Sequence, residues 1–235
     1  MAIVSTTLTT HQQAMRSTVV KKVIMSVTGL IMIGFLLVHM YGNLKMFSGQ
    51  EAFDHYAHWL KQDILYPLVP KGWFIWIFRT VLLAALVGHI WSAASLARTT
   101  LAVRGPGYHA QRRQVQTYSS RTMRWGGILV FGFIVFHLLQ FTVRVLETGY
   151  DSSDGPYDMF VGSFSVWWVF ALYAVLIFLI SMHIRHGFWS AFQTLGLNSS
   201  AKSRRALSVL AMGVAVVLYI GFMLPPLAVL IGWVN

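Results

Sequence analysis

Four histidines, His39, His89, His137 and His183, each fall inside a different long apolar stretch of this chain, and the four stretches are consecutive. An imidazole in hydrocarbon is costly unless it is bonded to something, so a histidine at membrane depth marks a functional site. Four of them on successive stretches suit two pairs of axial ligands, one pair for each of two haems. Bis-histidine ligation fills both axial positions and leaves none open for oxygen or substrate, which is the arrangement of an electron carrier. The chain has no cysteine, so covalently attached c-type haem, iron–sulfur clusters and thiolate-ligated haem are excluded within it. Any haem held here is of the non-covalent b type.

Composition identifies the elements that must position these residues. The 235 residues are 56% hydrophobic and 11% charged, with a mean hydropathy of +0.62, whereas a soluble domain carries about 25% charged residues. The chain reads as an all-α integral membrane protein. Crossing the hydrocarbon takes about 20 apolar residues, and five stretches qualify: about 20–43, 72–97, 125–146, 164–189 and 207–233. They form a single transmembrane domain over 1–235. The first four spans make the histidine-bearing bundle; the fifth, with neither histidine nor charge in its span, reads as a packing element. The segment ahead of the first span is polar and Thr-rich, and that span is too long for the apolar core of a signal peptide, so the first helix is expected to be retained.

Charge supplies the orientation. With the N-terminus inside, the inner segments hold Arg16, Lys21, Lys22, Arg98, Arg104, Arg112, Arg113, Arg121, Arg124, Arg185, Lys202, Arg204 and Arg205, and no acid. The outer side holds Lys45, Lys61, Lys71, Arg79 and Arg144 with all seven acids, Glu51, Asp54, Asp63, Glu147, Asp151, Asp154 and Asp158. Cytoplasmic loops are enriched in Lys and Arg, so the expectation is N-in, C-out in a plasma (bacterial inner) membrane. The net charge of +11 is thus largely topological, with attraction to anionic lipid. Nucleic acid is not an expected partner, because the bases lie on short loops between spans.

The loops add detail. Phe53, Tyr56, Ala57 and Leu60 have helical i, i+3, i+4, i+7 spacing, which predicts an interfacial outer helix over about 51–60. His55 and His58 lie on its other faces, with one carboxylate near and no third strong metal ligand. The links 104–108 (RGPGY) and 151–156 (DSSDGP) read as turns. Pro225 and Pro226 are expected to bend or end the last helix.

Depth then pairs the histidines. At about 1.5 Å per residue, His89 lies about 13 Å from Arg98 at the inner end of its helix, and His183 is comparably placed. His39 lies about 28 Å beyond the inner start of the first helix and His137 about 20 Å beyond Arg124, levels that helix tilt brings together. The inner pair is His89 with His183, and the outer pair His39 with His137. Gly34, Gly42, Gly88, Ser92 and Gly132 are small enough to let a flat macrocycle approach the backbones, although small residues also serve ordinary helix packing. The separations His39 to His89 and His137 to His183 are 50 and 46 residues, a faint repeat of two helices.

Several segments together resemble a known family. FLLVHMYGN (35–43), GQEAFDHYAH (49–58), Gly88-His89, Phe136-His137 and HIRHGFW (183–189) are similar to the di-haem cytochrome b membrane-anchor subunit of succinate:quinone oxidoreductases, succinate dehydrogenase or fumarate reductase, of the five-helix single-anchor type. The resemblance covers nearly the whole chain. It implies that the axial ligands are His39, His89, His137 and His183; the family's fourth ligand precedes a glycine by four residues, which selects His183, before Gly187, over His186. His186 would then meet a propionate or line a quinone pocket. The resemblance further implies a cytoplasmic flavoprotein with FAD and an iron–sulfur protein docked on the basic inner face, two b haems and a quinone, more often menaquinone, in this chain, and possession of no succinate chemistry of its own. A higher oligomer of the complex is compatible with it.

Quinone binding requires hydrogen-bond donors. Tyr41, Asn43, His55, His58 and Glu147 qualify on the outer side, and Ser26, Thr28, Arg185 and His186 on the inner. Lys21, Lys22, Arg124, Arg185 and Lys202 are within reach of inner propionates. Two other readings compete: the cytochrome b subunit of a formate dehydrogenase or hydrogenase, and a transporter relaying protons through histidines. The absence of acids from the spans and the paired depths weigh against the relay.

Overall fold

The computed structural model describes residues 17–103 and 118–235, and among these the regular structure is helical. The elements are α1 (Thr18–Leu44), a 3-10 turn (Lys45–Ser48), α2 (Gln50–Gln62), α3 (Trp73–Val103), α4 (Tyr118–Leu138), a π-helical turn (Leu139–Val143), α5 (Pro156–Ser165), α6 (Trp167–Thr194) and α7 (Ala201–Leu230). Five of these helices are long and apolar enough to cross a membrane, so the all-α, five-span architecture holds and the chain is a multi-pass membrane protein. The expected turn at 104–108 lies outside the described residues, as do Arg16, Arg112 and Arg113.

The spans are apolar nearly all round because lipid is their solvent. Trp73, Leu83, Trp125, Trp167 and Val209 are each more than 60% exposed, which in hydrocarbon costs nothing, so helix association depends on close contact rather than on withdrawal from water. The central seams are α1 against α3 and α6 against α7, joined by contacts of α1 with both α6 and α7. α4 leans on α6. The buried apolar cluster sits at one end, where Met46, Phe53, Tyr157, Phe160, Phe164, Val169, Tyr173 and Met223 meet. The fifth span is therefore part of the bundle's centre: Ala211, Ala215, Leu218 and Gly221 face inward, and a β-carbon on Gly221 would collide with the Met40 side chain.

Several boundaries differ from the hydropathy reading. The fourth span starts at Trp167, not near Phe164, because Val166 is extended (φ −87°, ψ 109°) and separates it from α5. That short helix has Pro156 in its first turn and is anchored from α2, where the Asp54 carboxylate accepts the Tyr157 N–H at 3.0 Å and Gln50 donates to Asp158 at 3.0 Å. The third span ends in the π-helical turn, and Arg144 (φ 61°) closes it, so 144–146 lie outside the helix. The helix α7 continues through Pro225 and Pro226 to Leu230 instead of ending there; both prolines are buried, and the contacts of this face with α1 and α6 hold the helix despite two missing N–H donors. The helix expected over about 51–60 is α2, Gln50–Gln62, slightly longer than expected.

Candidate functional site

The four histidines of the apolar spans meet in two pairs. His39 on α1 and His137 on α4 have ring centroids 5.9 Å apart at an interplanar angle of 75°. His89 on α3 and His183 on α6 are 6.4 Å apart at 60°. The helices that carry each pair share no extensive seam among the described residues, so the imidazoles reach toward one another between backbones that stand apart. An imidazole nitrogen bonds a transition metal at about 2.0–2.1 Å with the ring centroid about 1.2 Å behind it, so two imidazoles on opposite sides of one metal have centroids about 6.4–6.6 Å apart. The His89/His183 pair fits that span, and the His39/His137 pair is about half an ångström closer. Among the described residues no cluster of three or more His, Cys, Asp or Glu forms a metal site.

Each pair has an imidazole oriented through its other nitrogen. His89 Nδ1 donates to the Met25 carbonyl at 3.0 Å, with Thr28 Oγ1 at 3.4 Å, which leaves the lone pair of this imidazole on Nε2. Thr28 itself donates to Ile24 O at 2.7 Å. His137 Nδ1 lies 3.0 Å from the Tyr173 hydroxyl, whose own proton goes to Gln140 Oε1 at 2.7 Å. A ligating histidine commonly donates its second N–H in this way, which sets tautomer and ring plane. Around the His39/His137 pair lie Phe35, stacked on His39 at 5.3 Å, Phe222 of the fifth span at 5.7 Å from His39, and Phe133 and Phe141 against His137. At the His89/His183 pair, His183 Nδ1 is buried without a hydrogen-bond partner among the described residues, as are Ser92 Oγ and Ser181 Oγ nearby in sequence.

Glycines divide by role. A β-carbon on Gly42 would meet the Tyr56 ring at 3.2 Å, and one on Gly88 would touch Thr28 at 3.6 Å, so both serve helix contacts rather than the approach of a macrocycle. Gly34 and Gly132 have nothing within 4 Å. The glycines that do face the imidazoles are others: Gly29, whose β-carbon would lie 3.3 Å from His89 Cε1, and Gly127, 3.7 Å from His183 Cε1. Sequence reasoning missed these, and also Tyr173 and Gln140. The i, i+3 spacing of His137 and Gln140 was the available signal for the last.

The remaining candidates are scattered. Tyr41 is 54% exposed, with Lys45 over its ring and Tyr56 edge-on at 6.3 Å. Burial pushes the Tyr56 hydroxyl above its ordinary pKa, with Tyr41 adding to this and Lys45 opposing it. Lys61 is held below the usual lysine range by burial, then by Arg144 and Arg79. His55 and His58 are exposed, and His58 faces Asp63 at 3.5 Å. Glu147 is exposed and Asn43 half-buried. On the other side Ser26 donates to Lys22 O, and Arg185 and His186 are half-buried. Lys21 lies 5.9 Å over the Trp91 ring.

Comparison with known proteins adds one match. The family model described as succinate dehydrogenase/fumarate reductase transmembrane subunit matches residues 105–221, a stretch containing His137 and His183 and lying C-terminal to His39 and His89. No curated protein and no solved structure matches the chain. With five apolar spans on the page, the match makes this chain a member of the succinate dehydrogenase/fumarate reductase transmembrane subunit family.

Proposed function

We propose that this chain is the membrane anchor and electron-carrying subunit of a succinate:quinone oxidoreductase, holding one b haem between His89 and His183 and a second between His39 and His137. The observation that carries this reading is the pair of facing imidazoles at each of two depths, 6.4 and 5.9 Å apart, in a member of this family. When bound, the haems supply one-electron redox chemistry within the membrane. The chain's own residues do the holding and aiming: the Met25 carbonyl and the Tyr173 hydroxyl each take the second N–H of a ligand, and Gly29 and Gly127 let α1 and α4 close on the inner rings.

In this reading the basic N-terminal side is cytoplasmic in the plasma membrane. It docks the iron–sulfur and FAD-carrying flavoprotein subunits, which perform the succinate or fumarate chemistry. The substrate of this subunit is a quinone, menaquinone by the form of the anchor. The test is a pyridine haemochrome assay on the purified complex together with a dithionite-reduced minus oxidised spectrum. Two low-spin b haems per copy of this chain are expected; none would overturn the reading, and one would mean that a pair is wrongly assigned.

A further inference from the structure

Where His89 Nδ1 is held chiefly by a backbone carbonyl, with Thr28 Oγ1 farther off at 3.4 Å, the second nitrogen of His137 meets the Tyr173 side chain, which belongs to a buried polar chain. Tyr173, 4% exposed, and Gln140, fully buried, lie among Phe133, Phe141 and Phe164, whose rings stand 4.9 to 6.3 Å from Tyr173. A buried primary amide in such surroundings is costly unless satisfied. Gln140 is satisfied at three points: its Nε2 donates to Thr148 Oγ1 and to Ser163 Oγ, and its Oε1 accepts from Tyr173. The backbone is committed as well. The π-helical turn after Leu138 removes the Gln140 carbonyl from the regular ladder, and the Tyr150 hydroxyl donates to it. Arg144 then donates to Ser152 O at 2.9 Å and Asp154 O at 3.2 Å, closing the following loop so that Thr148 and Tyr150 stay in place.

The protons follow from the acceptor at one end of this chain. The Gln140 carbonyl oxygen faces Tyr173 and can only accept; the phenol spends its one proton there, so its oxygen accepts from His137. His137 therefore carries its proton on Nδ1, and its Nε2 keeps the lone pair that a metal would take. We propose that Tyr173 and Gln140 are positioning residues that fix the tautomer and ring plane of His137 and thereby set the redox potential of the outer centre. The proposal rests on the two-haem reading above. An acceptor on Nδ1–H makes an imidazole a more basic ligand, which favours the oxidised metal and lowers the potential. The inner pair uses chiefly the Met25 backbone carbonyl for the same purpose, with Thr28 Oγ1 at a longer 3.4 Å, so the two centres are tuned by different means, the outer one through the Tyr173 side chain.

The experiment is redox titration and low-temperature electron paramagnetic resonance of the purified complex in three variants. Tyr173→Phe keeps the ring contacts and deletes the acceptor; the outer midpoint is expected to rise, its low-spin signal to move, the inner midpoint to stay, and the outer haem to be lost to a scavenger about 10–100 times more readily. Gln140→Leu should move the outer midpoint in the same direction by less, and serves if Tyr173→Phe does not assemble. Phe164→Leu thins the contacts on Tyr173 without touching a hydrogen bond and should leave both midpoints unchanged. Wild-type potentials and spectra in both Tyr173→Phe and Gln140→Leu, or an equal shift in Phe164→Leu, would overturn the proposal. Absence of b haem from the wild-type complex would instead defeat the reading beneath it.

Discussion

Substituting alanine at Gly29 tests whether α1 holds the inner pair by direct contact with His89. The new β-carbon would stand 3.3 Å from Cε1 and 3.5 Å from Nδ1 of that ring, where carbon pairs prefer about 3.5–4.0 Å. The ring must give by a few tenths of an ångström, and the bond from Nδ1 to Met25 O, now 3.0 Å, stretches with it. Three effects compete. Alanine gains about 1 kcal/mol of helix propensity over glycine, overpacking costs about 1–3 kcal/mol, and a weakened hydrogen bond costs up to about 1 kcal/mol. The propensity gain accrues to α1 whether or not His89 is in place, so it offsets the cost to folding but not the cost at the site. Retention of the inner haem should therefore fall by about 1–3 kcal/mol, or about 5- to 150-fold. The assay is transfer of haem from the detergent-solubilised complex to a scavenging apoglobin, followed optically, with Gly213→Ala as control because its β-carbon meets nothing within 4 Å. Wild-type transfer rates and midpoints in Gly29→Ala would refute the reasoning.

Three further outcomes are expected. Haem quantitation and redox titration should show the outer haem lost in His39→Ala or His137→Ala and the inner in His89→Ala or His183→Ala, with both retained in His186→Ala; the reverse result for His183 and His186 would exchange their roles. In an assembled His137→Ala complex, succinate oxidation by a soluble dye should persist while menaquinone reduction drops, since a quinone reduced beside the outer pair receives electrons only through both centres; undiminished menaquinone reduction would place the working quinone site on the basic side. In Gly162→Ala the added carbon would collide with the Gly149 backbone, costing at least about 1–3 kcal/mol and loosening the loop that supports Gln140, so thermal release of the outer haem should precede that of the inner.

What the sequence determined alone is what local hydropathy and residue type can encode. Five apolar runs of membrane-crossing length, the loops that carry the bases and the acids, and at least one histidine in each of the first four runs are properties of segments, and bilayer thickness translates the runs directly into spans. Depth along each helix follows from a fixed rise per residue, which is why His89 could be matched with His183 and His39 with His137 before any contact was known. Rotation about each helix axis is another matter. A span that is apolar on every side has no moment to say which face turns inward, so Met25 and Thr28 behind His89, Gly29 and Gly127 against the inner rings, and Phe222 against His39 emerged only from helix packing. The same holds for the break at Val166, the π-helical turn and the helix running on through Pro225 and Pro226, where contacts from other helices override local preference. Tyr173 and Gln140 lie 33 residues apart, and their union with His137 depends on two crossing helices and one inserted loop, a geometry that no stretch of the chain specifies by itself.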